Sequence, residues 1–271
     1  MLNVTDLSSY LYCPRKFYLQ KIKGIRTPPT KPMIEGLIRH EVIEKFANNE
    51  KYIILNFTQK LEKQDIVNSF QNLLNNLNEI IIEKHRPKIN QFSISPRELI
   101  KKINLQMQND FQLRANAISN TMQGGFLGAE LWANLKPKYF SEMRLASEKL
   151  GLKGRADRVM IADETIIPFE LKTREAEKIY PSDEIQLTAY AMLLEEKYNQ
   201  PIPLAILESG NTKHELTITQ ENKNKVIELI KEINELIRKS TSQTGYRPNP
   251  KFPSSFAKCQ ICELGEECEN L

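Results

Sequence analysis

Residues 152–172 read LKGRADRVMIADETIIPFELK. Two runs of strand-like composition, 152–161 and 165–171, flank Ala162-Asp163-Glu164, which reads as a hairpin connection. With Asp163 and Glu164 as the two central turn residues, opposed positions share a constant sum, and Asp157 falls opposite Glu170. Opposed side chains share a face, with Cβ atoms roughly 4.5–5.5 Å apart. Alternation along the strand puts Lys172 on the face of Glu170. A slip of one residue would send the two carboxylates to opposite faces, so the register carries the reading. Two carboxylates this close repel unless a cation lies between them, and oxygen donors suit Mg²⁺ or Mn²⁺. A lysine beside them can position an attacking water or stabilise charge on a phosphate. The pattern is therefore a recipe for metal-dependent phosphodiester hydrolysis. The plainer alternative is a solvated Glu–Lys strand pair. Against it, Val159, Ile161, Ile167 and Phe169 read as one apolar face, while Ile166 and Pro168 keep the strand apolar on the other.

Residues 139–148 read as a further strand before the hairpin. After it, Ser182 can cap a helix running from Asp183 to about Lys197. Gln186 and Tyr190 lie four apart on that helix, hence on one face, and both can hydrogen-bond a phosphate or a metal-bound water. Short strands follow at about 203–208 and 214–219 around a Gly210-Asn211 turn, then an amphipathic helix over about 220–239. Strands flanked by helices predict a mixed α/β core. Upstream, Met33 to Ala47 has helical spacing and carries Gly36 and His40. His40 is a candidate nitrogen ligand, which would favour Mn²⁺ over Mg²⁺. Residues from about 58 to 134 are helical in pattern, interrupted at Pro87 and Pro96 and ended by Gly124-Gly125, and read as an insertion without chemistry of its own.

Four cysteines are too few for a disulfide scaffold in 271 residues. Cys259, Cys262 and Cys268 crowd the C-terminal segment, and only Cys13 can supply a fourth thiolate. Four thiolates suit tetrahedral Zn²⁺ or an iron–sulfur cluster. The spacing differs from the paired C-x2-C of a zinc ribbon, which favours iron–sulfur and would staple the two ends of the chain together. The first forty residues hold seven basic against two acidic side chains, interleaved with Tyr10, Tyr12, Phe17 and Tyr18. Two readings of that segment stand side by side: a grip on single-stranded DNA, or an apolar helix covering the core. Composition bounds the rest. At 40 % hydrophobic and 27 % charged residues the chain reads as globular and soluble. No apolar run is long enough for a membrane span, and no signal peptide is evident at the N-terminus, so a cytoplasmic protein is expected. A net charge of +4 neither requires nor excludes a nucleic-acid partner.

Taken in order, these features resemble the Cas4 nucleases of CRISPR adaptation, within the RecB-like branch of the PD-(D/E)xK superfamily. The resemblance rests on Cys13 in YCPRKFY, Gly36-x3-His40, Gly154-x2-Asp157, Glu170-Leu171-Lys172, Gln186-x3-Tyr190 and the terminal cysteine trio, and covers roughly 1–45 and 140–271. It implies a restriction-endonuclease-like α/β core, a mixed central sheet flanked by helices, with a helical insertion and a C-terminal cluster region. The corresponding division is 1–47 (N-terminal helical part), 48–138 (insertion), 139–244 (nuclease core) and 245–271 (cysteine segment). It implies His40, Asp157, Glu170 and the backbone carbonyl of Leu171 as metal ligands, Lys172 as catalytic, and Gln186 and Tyr190 in support. It implies a [4Fe–4S] cluster on Cys13, Cys259, Cys262 and Cys268, with Mn²⁺ or Mg²⁺ at the carboxylates. The implied activity is a DNA exonuclease, 5′→3′ on single-stranded or overhang DNA, that trims prespacers and selects PAM-adjacent ones with Cas1 and Cas2. No membrane partner is implied, and homo-oligomerisation is left open. The rivals are a RecB-like repair or viral nuclease outside CRISPR and a non-catalytic DNA-binding adaptor.

Overall fold

The computed structural model describes residues 1–172, 177–210, 212–241, 249–253 and 255–271. The chain enters through a two-residue strand, β1 (Leu2–Asn3), and a helix, α1 (Val4–Tyr12), whose start is held by Asn3 N–H donating to Asp6 at 2.8 Å. A short helix α2 (Pro14–Phe17) runs on into a π-helical turn, Tyr18–Ile22. Five helices follow: α3 (Lys31–Leu55), α4 (Lys63–Lys84), α5 (Arg86–Gln91), α6 (Pro96–Gln123) and α7 (Gly128–Asn134). Then come β2 (Lys138–Ser147), β3 (Leu152–Ala162), β4 (Thr165–Lys172), α8 (Pro181–Tyr198), β5 (Leu204–Ser209), β6 (Thr212–Thr217) and α9 (Gln220–Thr241). Two small helices, α10 (Ala257–Gln260) and α11 (Gly265–Glu269), carry Cys259 and Cys268, with Cys262 between them. The Pro- and Ser-rich stretch Gly245 to Ser255 reads as irregular from its composition; of it, 245–248 and 254 lie outside the described residues, as does Asn211 of the expected turn.

The hairpin register is the one read from sequence. Arg158 pairs with Phe169 and Ala162 with Thr165, around a turn in which Asp163 takes a left-handed φ of 48°. β2 pairs antiparallel with β3 from Lys138↔Ile161 to Ser147↔Leu152. β1 pairs parallel at Leu2↔Leu152 and Asn3↔Lys153, so it must use the other edge of β3, in line with β4. β4 pairs parallel with β5, a connection that needs a crossover, and α8 provides it. β6 closes the sheet antiparallel to β5. The result is the expected mixed sheet with helices on both faces.

One detail of facing differs. Register pairs Val159 with Pro168 and Ile161 with Ile166, so these four share a face, while Ile167 and Phe169 lie on the other. The odd sum of paired numbers matches odd positions on β3 with even positions on β4, which a pattern read on each strand alone does not reveal.

The first face is covered by α1, α8 and α9, with a core that includes Leu7, Phe17, Val159, Leu193, Leu207 and Val226. α8 is buried continuously from Ile185 to Leu194, because the sheet, α1 and α9 enclose it. Its start is two residues earlier than expected: Pro181 opens the helix after Tyr180, instead of Ser182 capping it. Phe17 and Tyr18 are buried, and Tyr10 packs edge-to-face on Phe17 at 5.6 Å. Phe17, Tyr18 and, in part, Tyr10 thus cover the core, while Tyr12 stays exposed at 39 %, so of the four rings the stacking reading keeps mainly Tyr12.

The second face carries α3, α4, α6 and α7, with Phe46, Phe70 and Phe111 in mutual ring contact and Leu171 in the same cluster. α3 continues through Asn48-Asn49 to Leu55, so the division placed after residue 47 falls inside one helix. The polar run there is not a stop. Glu50 is buried and receives both Arg114 Nε (2.5 Å) and Nη2 (3.1 Å) from α6. A second buried ionic group docks α6 on the sheet: Arg158 reaches Asp110 at 2.8 Å and Glu208, and Gln106 donates to Glu208 at 3.4 Å. Breaking a buried pair from one side leaves an uncompensated charge and costs about 3–5 kcal/mol. Arg158→Met should therefore lower unfolding stability in urea by about that amount. Lys213→Ala, which removes a half-exposed partner of Asp110, should cost under about 1 kcal/mol. Equal losses would show that the seam is not desolvated.

Candidate metal centre and catalytic groove

The β3–β4 ladder ends at Arg158↔Phe169, and the next positions in that register are Asp157 and Glu170. There the Asp157 side chain takes over from the backbone: its Oδ2 accepts from Leu171 N–H at 2.8 Å. Its Oδ1 lies 3.7 Å from His40 Nδ1, delivered by α3. Glu142 Oε1, from β2, lies 3.7 Å from the same nitrogen. His40, Glu142 and Asp157 each present one ligand atom within 4.8 Å of the others. Glu170 is in the same groove but outside that trio. Its Oε1 accepts from Lys172 Nζ at 2.8 Å, and its Oε2 is buried with no hydrogen-bond partner among the described residues. Lys172 Nζ also lies 3.4 Å from Gln186 Oε1 and 3.5 Å from Asp183. Tyr190 donates its hydroxyl to the carbonyl of Arg155 at 2.8 Å. All these side chains except Asp183 line one open groove of about 900 Å³, together with Leu171. Gly154 permits the arrangement: a Cβ there would come within 2.9 Å of both the Tyr190 ring and Val4.

Glu142 was not legible in the sequence. The turn between β2 and β3 is longer than two residues, so its register cannot be counted from the chain. In the structure Glu142 stands between the pairs Ser141↔Arg158 and Met143↔Ala156, opposite Asp157, with a left-handed φ of 54°. A non-glycine residue held there stores about 1–3 kcal/mol of strain, and such strain concentrates at functional sites. Arg155 also pairs with Glu142.

The electrostatics record crowding of acids. Burial, then the neighbouring Asp157 charge, push the Glu170 carboxyl up to about 7. Burial and Glu142 raise Asp157 as well, against the pull of His40 and of its Leu171 hydrogen bond. Burial works against a charged His40, but the Glu142 hydrogen bond and the Asp157 charge prevail and raise it. Lys172 is likewise raised in spite of burial, through Glu170 and Asp183. Burial, then Glu170 and Asp157, hold the Tyr190 phenol well above its usual range. The donor set of imidazole nitrogen and carboxylate oxygens, with an orphaned carboxylate oxygen beside it, fits a divalent cation of the Mn²⁺ or Mg²⁺ class.

The sign of the pH dependence follows. Glu170 and His40 both hold protons more tightly folded than unfolded, so their contribution is complete at low pH; the Glu170 part is lost as pH rises through about 7, and the His40 part as pH rises through its own raised value. Metal-free protein should melt at progressively lower temperature from about pH 5 to about pH 8, and Mn²⁺ should restore stability most at the upper end. Glu170→Gln should flatten the fall. A wild-type melting temperature that climbs over this range, or an unchanged slope in Glu170→Gln, would overturn the assignment.

The four cysteines form a separate site. Cys13 sits between α1 and α2, Cys259 on α10, Cys268 on α11 and Cys262 between them, and all four line one cavity of about 580 Å³. Burial raises the Cys268 thiol, with further upward pushes from Cys13, Cys262 and Cys259. The flanking cations join the ends: Lys16 pairs with Glu263 at 3.0 Å, Lys258 Nζ donates to the Tyr12 carbonyl at 3.0 Å, and Arg15 lies 4.1 Å from the Phe252 ring centroid. Among the described residues, His40–Glu142–Asp157 is the one trio of metal-competent groups closer than 4.8 Å.

Residues 1–269 match the family model of the PD-(D/E)XK nuclease superfamily. Three curated proteins are similar over shorter stretches. A CRISPR-associated exonuclease Cas4/endonuclease Cas1 fusion of Myxococcus xanthus is 41 % identical over 63 residues, 21 % of this chain and 11 % of that protein. A CRISPR-associated exonuclease Cas4 of Francisella tularensis subsp. novicida is 29 % identical over 128 residues, 47 % of this chain and 61 % of that protein. A second Cas4/Cas1 fusion, from Leptospira interrogans, is 28 % identical over 156 residues, 53 % of this chain and 28 % of that protein. The chain thus spans less than two thirds of the length of each of these relatives. With the match covering nearly its whole length, and acid, acid and lysine gathered at the end of one hairpin, the chain belongs to the PD-(D/E)XK nuclease superfamily.

Proposed function

We propose that this chain is a metal-dependent deoxyribonuclease that trims DNA ends, 5′→3′ on single-stranded or overhang DNA. In this reading it prepares PAM-adjacent prespacers for CRISPR adaptation in company with Cas1 and Cas2. One observation carries the catalytic part: Asp157 and Glu170 stand opposite one another at the next position of the β3–β4 register, and Glu170 keeps a buried oxygen without a partner among the described residues beside Lys172. His40, Glu142, Asp157 and Glu170, with the Leu171 carbonyl, are the residues that would hold the ion. Bound there, a divalent cation lowers the pKa of water and polarises a phosphoryl oxygen. Lys172 supplies a fixed ammonium at the same spot, oriented by Glu170 and Gln186, to steady the attacking water and the charge on the phosphate. Tyr190, anchored on the Arg155 carbonyl, holds β3 and α8 at the spacing this needs. The CRISPR setting is supported by the names of the three relatives.

Cleavage of a labelled single strand with Mn²⁺ tests the assignment. Asp157→Ala should abolish it, and Lys172→Ala should lower the rate by about 10²–10³-fold. Glu142→Gln should raise the Mn²⁺ concentration needed by about 10–100-fold with the saturated rate less affected. Equal residual cleavage in wild type, Asp157→Ala and Lys172→Ala would sink the catalytic reading and leave a DNA-binding adaptor.

For the cysteines, four thiols lining one cavity, in a spacing unlike the paired C-x2-C of a zinc ribbon, support a [4Fe–4S] cluster over zinc. Its role is structural, since it ties α1 and α2 to α10 and α11. Protein purified without air should be brown and absorb near ~400 nm. Cys13→Ala should lose both the colour and a large part of its thermal stability, because binding energy at such sites is folding energy. A colourless protein with stoichiometric zinc would reject the cluster and leave the nuclease standing.

A further inference from the structure

The groove has two unlike walls. On β2 and β3, Arg144 stands directly across from Arg155, and Lys153 follows two positions along. Like charges opposed on a ladder repel. Arg155 is tied to Glu142, but among the described residues neither Arg144 nor Lys153 is paired with a carboxylate. All three cations line the groove. Facing them, α3 contributes Met33, Gly36, Leu37 and His40 at helical spacing. Met33 is 59 % exposed and Leu37 45 %, although Ile34, Ile38 and Val42 on the same helix are buried. Gly36 leaves a flat stretch of helix surface between these apolar side chains and His40. The candidate metal trio draws one ligand from each wall, His40 from α3 and Glu142 from β2, with Asp157 from β3.

A DNA duplex turns charged phosphates outward on both sides, and an apolar wall has nothing to offer it. A single strand has phosphates along one edge and free base faces along the other, and base faces stack on flat apolar surfaces regardless of sequence. Resting on the nuclease reading, we propose that the groove holds one DNA strand. Its phosphates lie along Arg144, Arg155 and Lys153, its bases lie against Met33 and Leu37, and these two side chains set the preference for single strands.

The test is binding by fluorescence anisotropy in the cleavage-impaired Lys172→Ala background with Mn²⁺, using a labelled oligonucleotide alone and annealed to its complement. Met33→Ser with Leu37→Ser should weaken single-strand binding about tenfold and leave duplex binding unchanged. Leu37→Phe, which enlarges the stacking face, should strengthen single-strand binding. Arg144→Gln with Lys153→Gln should weaken both and reduce the slope of log affinity against log salt by about 0.7 per lost phosphate contact on single strands. Serine variants with unchanged single-strand affinity, an equal loss on both DNAs, or no gain from Leu37→Phe would overturn the proposal. These readings stand apart from the cleavage assay: a wild type that shows this binding pattern and never cuts defeats the nuclease reading alone.

Discussion

A single hydrogen bond sets up the site. Leu171 N–H, which a continued ladder would give to a backbone carbonyl, is instead accepted by the Asp157 carboxylate. The exchange ends the β3–β4 ladder at the point where the next pair would be two acids. It fixes one oxygen of Asp157 and turns the other toward His40. Carboxylates held together in a buried place are unstable as anions, as the raised Glu170 and Asp157 both record. The site is thus built as a charge deficit that a cation relieves, with Lys172 supplying part of the relief in its absence.

That deficit can be sustained only because both faces of the sheet are closed. α8, enclosed by the sheet, α1 and α9, delivers Gln186 and Tyr190 from one side. α3 delivers His40 from the other and is locked along its length by Phe46, Ile54 and the Glu50–Arg114 pair. The helices between α3 and β2 therefore do more than decorate the core. They complete the second apolar cluster, into which Leu171, the residue between Glu170 and Lys172, is itself packed. The cysteine segment closes on the N-terminal helices, where α1 and α2 meet α10 and α11 through the Lys16–Glu263 pair and the Lys258–Tyr12 hydrogen bond, around a cavity that all four cysteines line.

The asymmetry of the groove has the same origin. β2 and β3 expose their outward positions in a line, so cations accumulate on that wall. α3 has its apolar stripe committed to the second core, and the residues that flank the stripe on the groove side, Met33 and Leu37, are left uncovered.

Much of this was legible in the chain because local rules govern it. A two-residue turn fixes register, so the apposition of Asp157 with Glu170 could be counted from Asp163 and Glu164, and α8, α9 and the strands followed from periodicity. The sharing of one cavity by Cys13 and the C-terminal trio could be anticipated from thiolate number alone. Other features depended on tertiary packing. Glu142 joined the trio through a β2–β3 register that no short turn fixes, and with a backbone conformation its residue type disfavours. The polar run at Asn48-Asn49-Glu50 continued a helix because Arg114, distant in sequence, satisfies Glu50 in the interior. Phe17 and Tyr18 turned inward because the core offered them apolar area. Sequence determined which side chains could meet across a tight turn or along one helix, since those distances are set by backbone geometry. Tertiary structure decided which distant groups complete the pocket, since their approach depends on the burial of whole elements against one another.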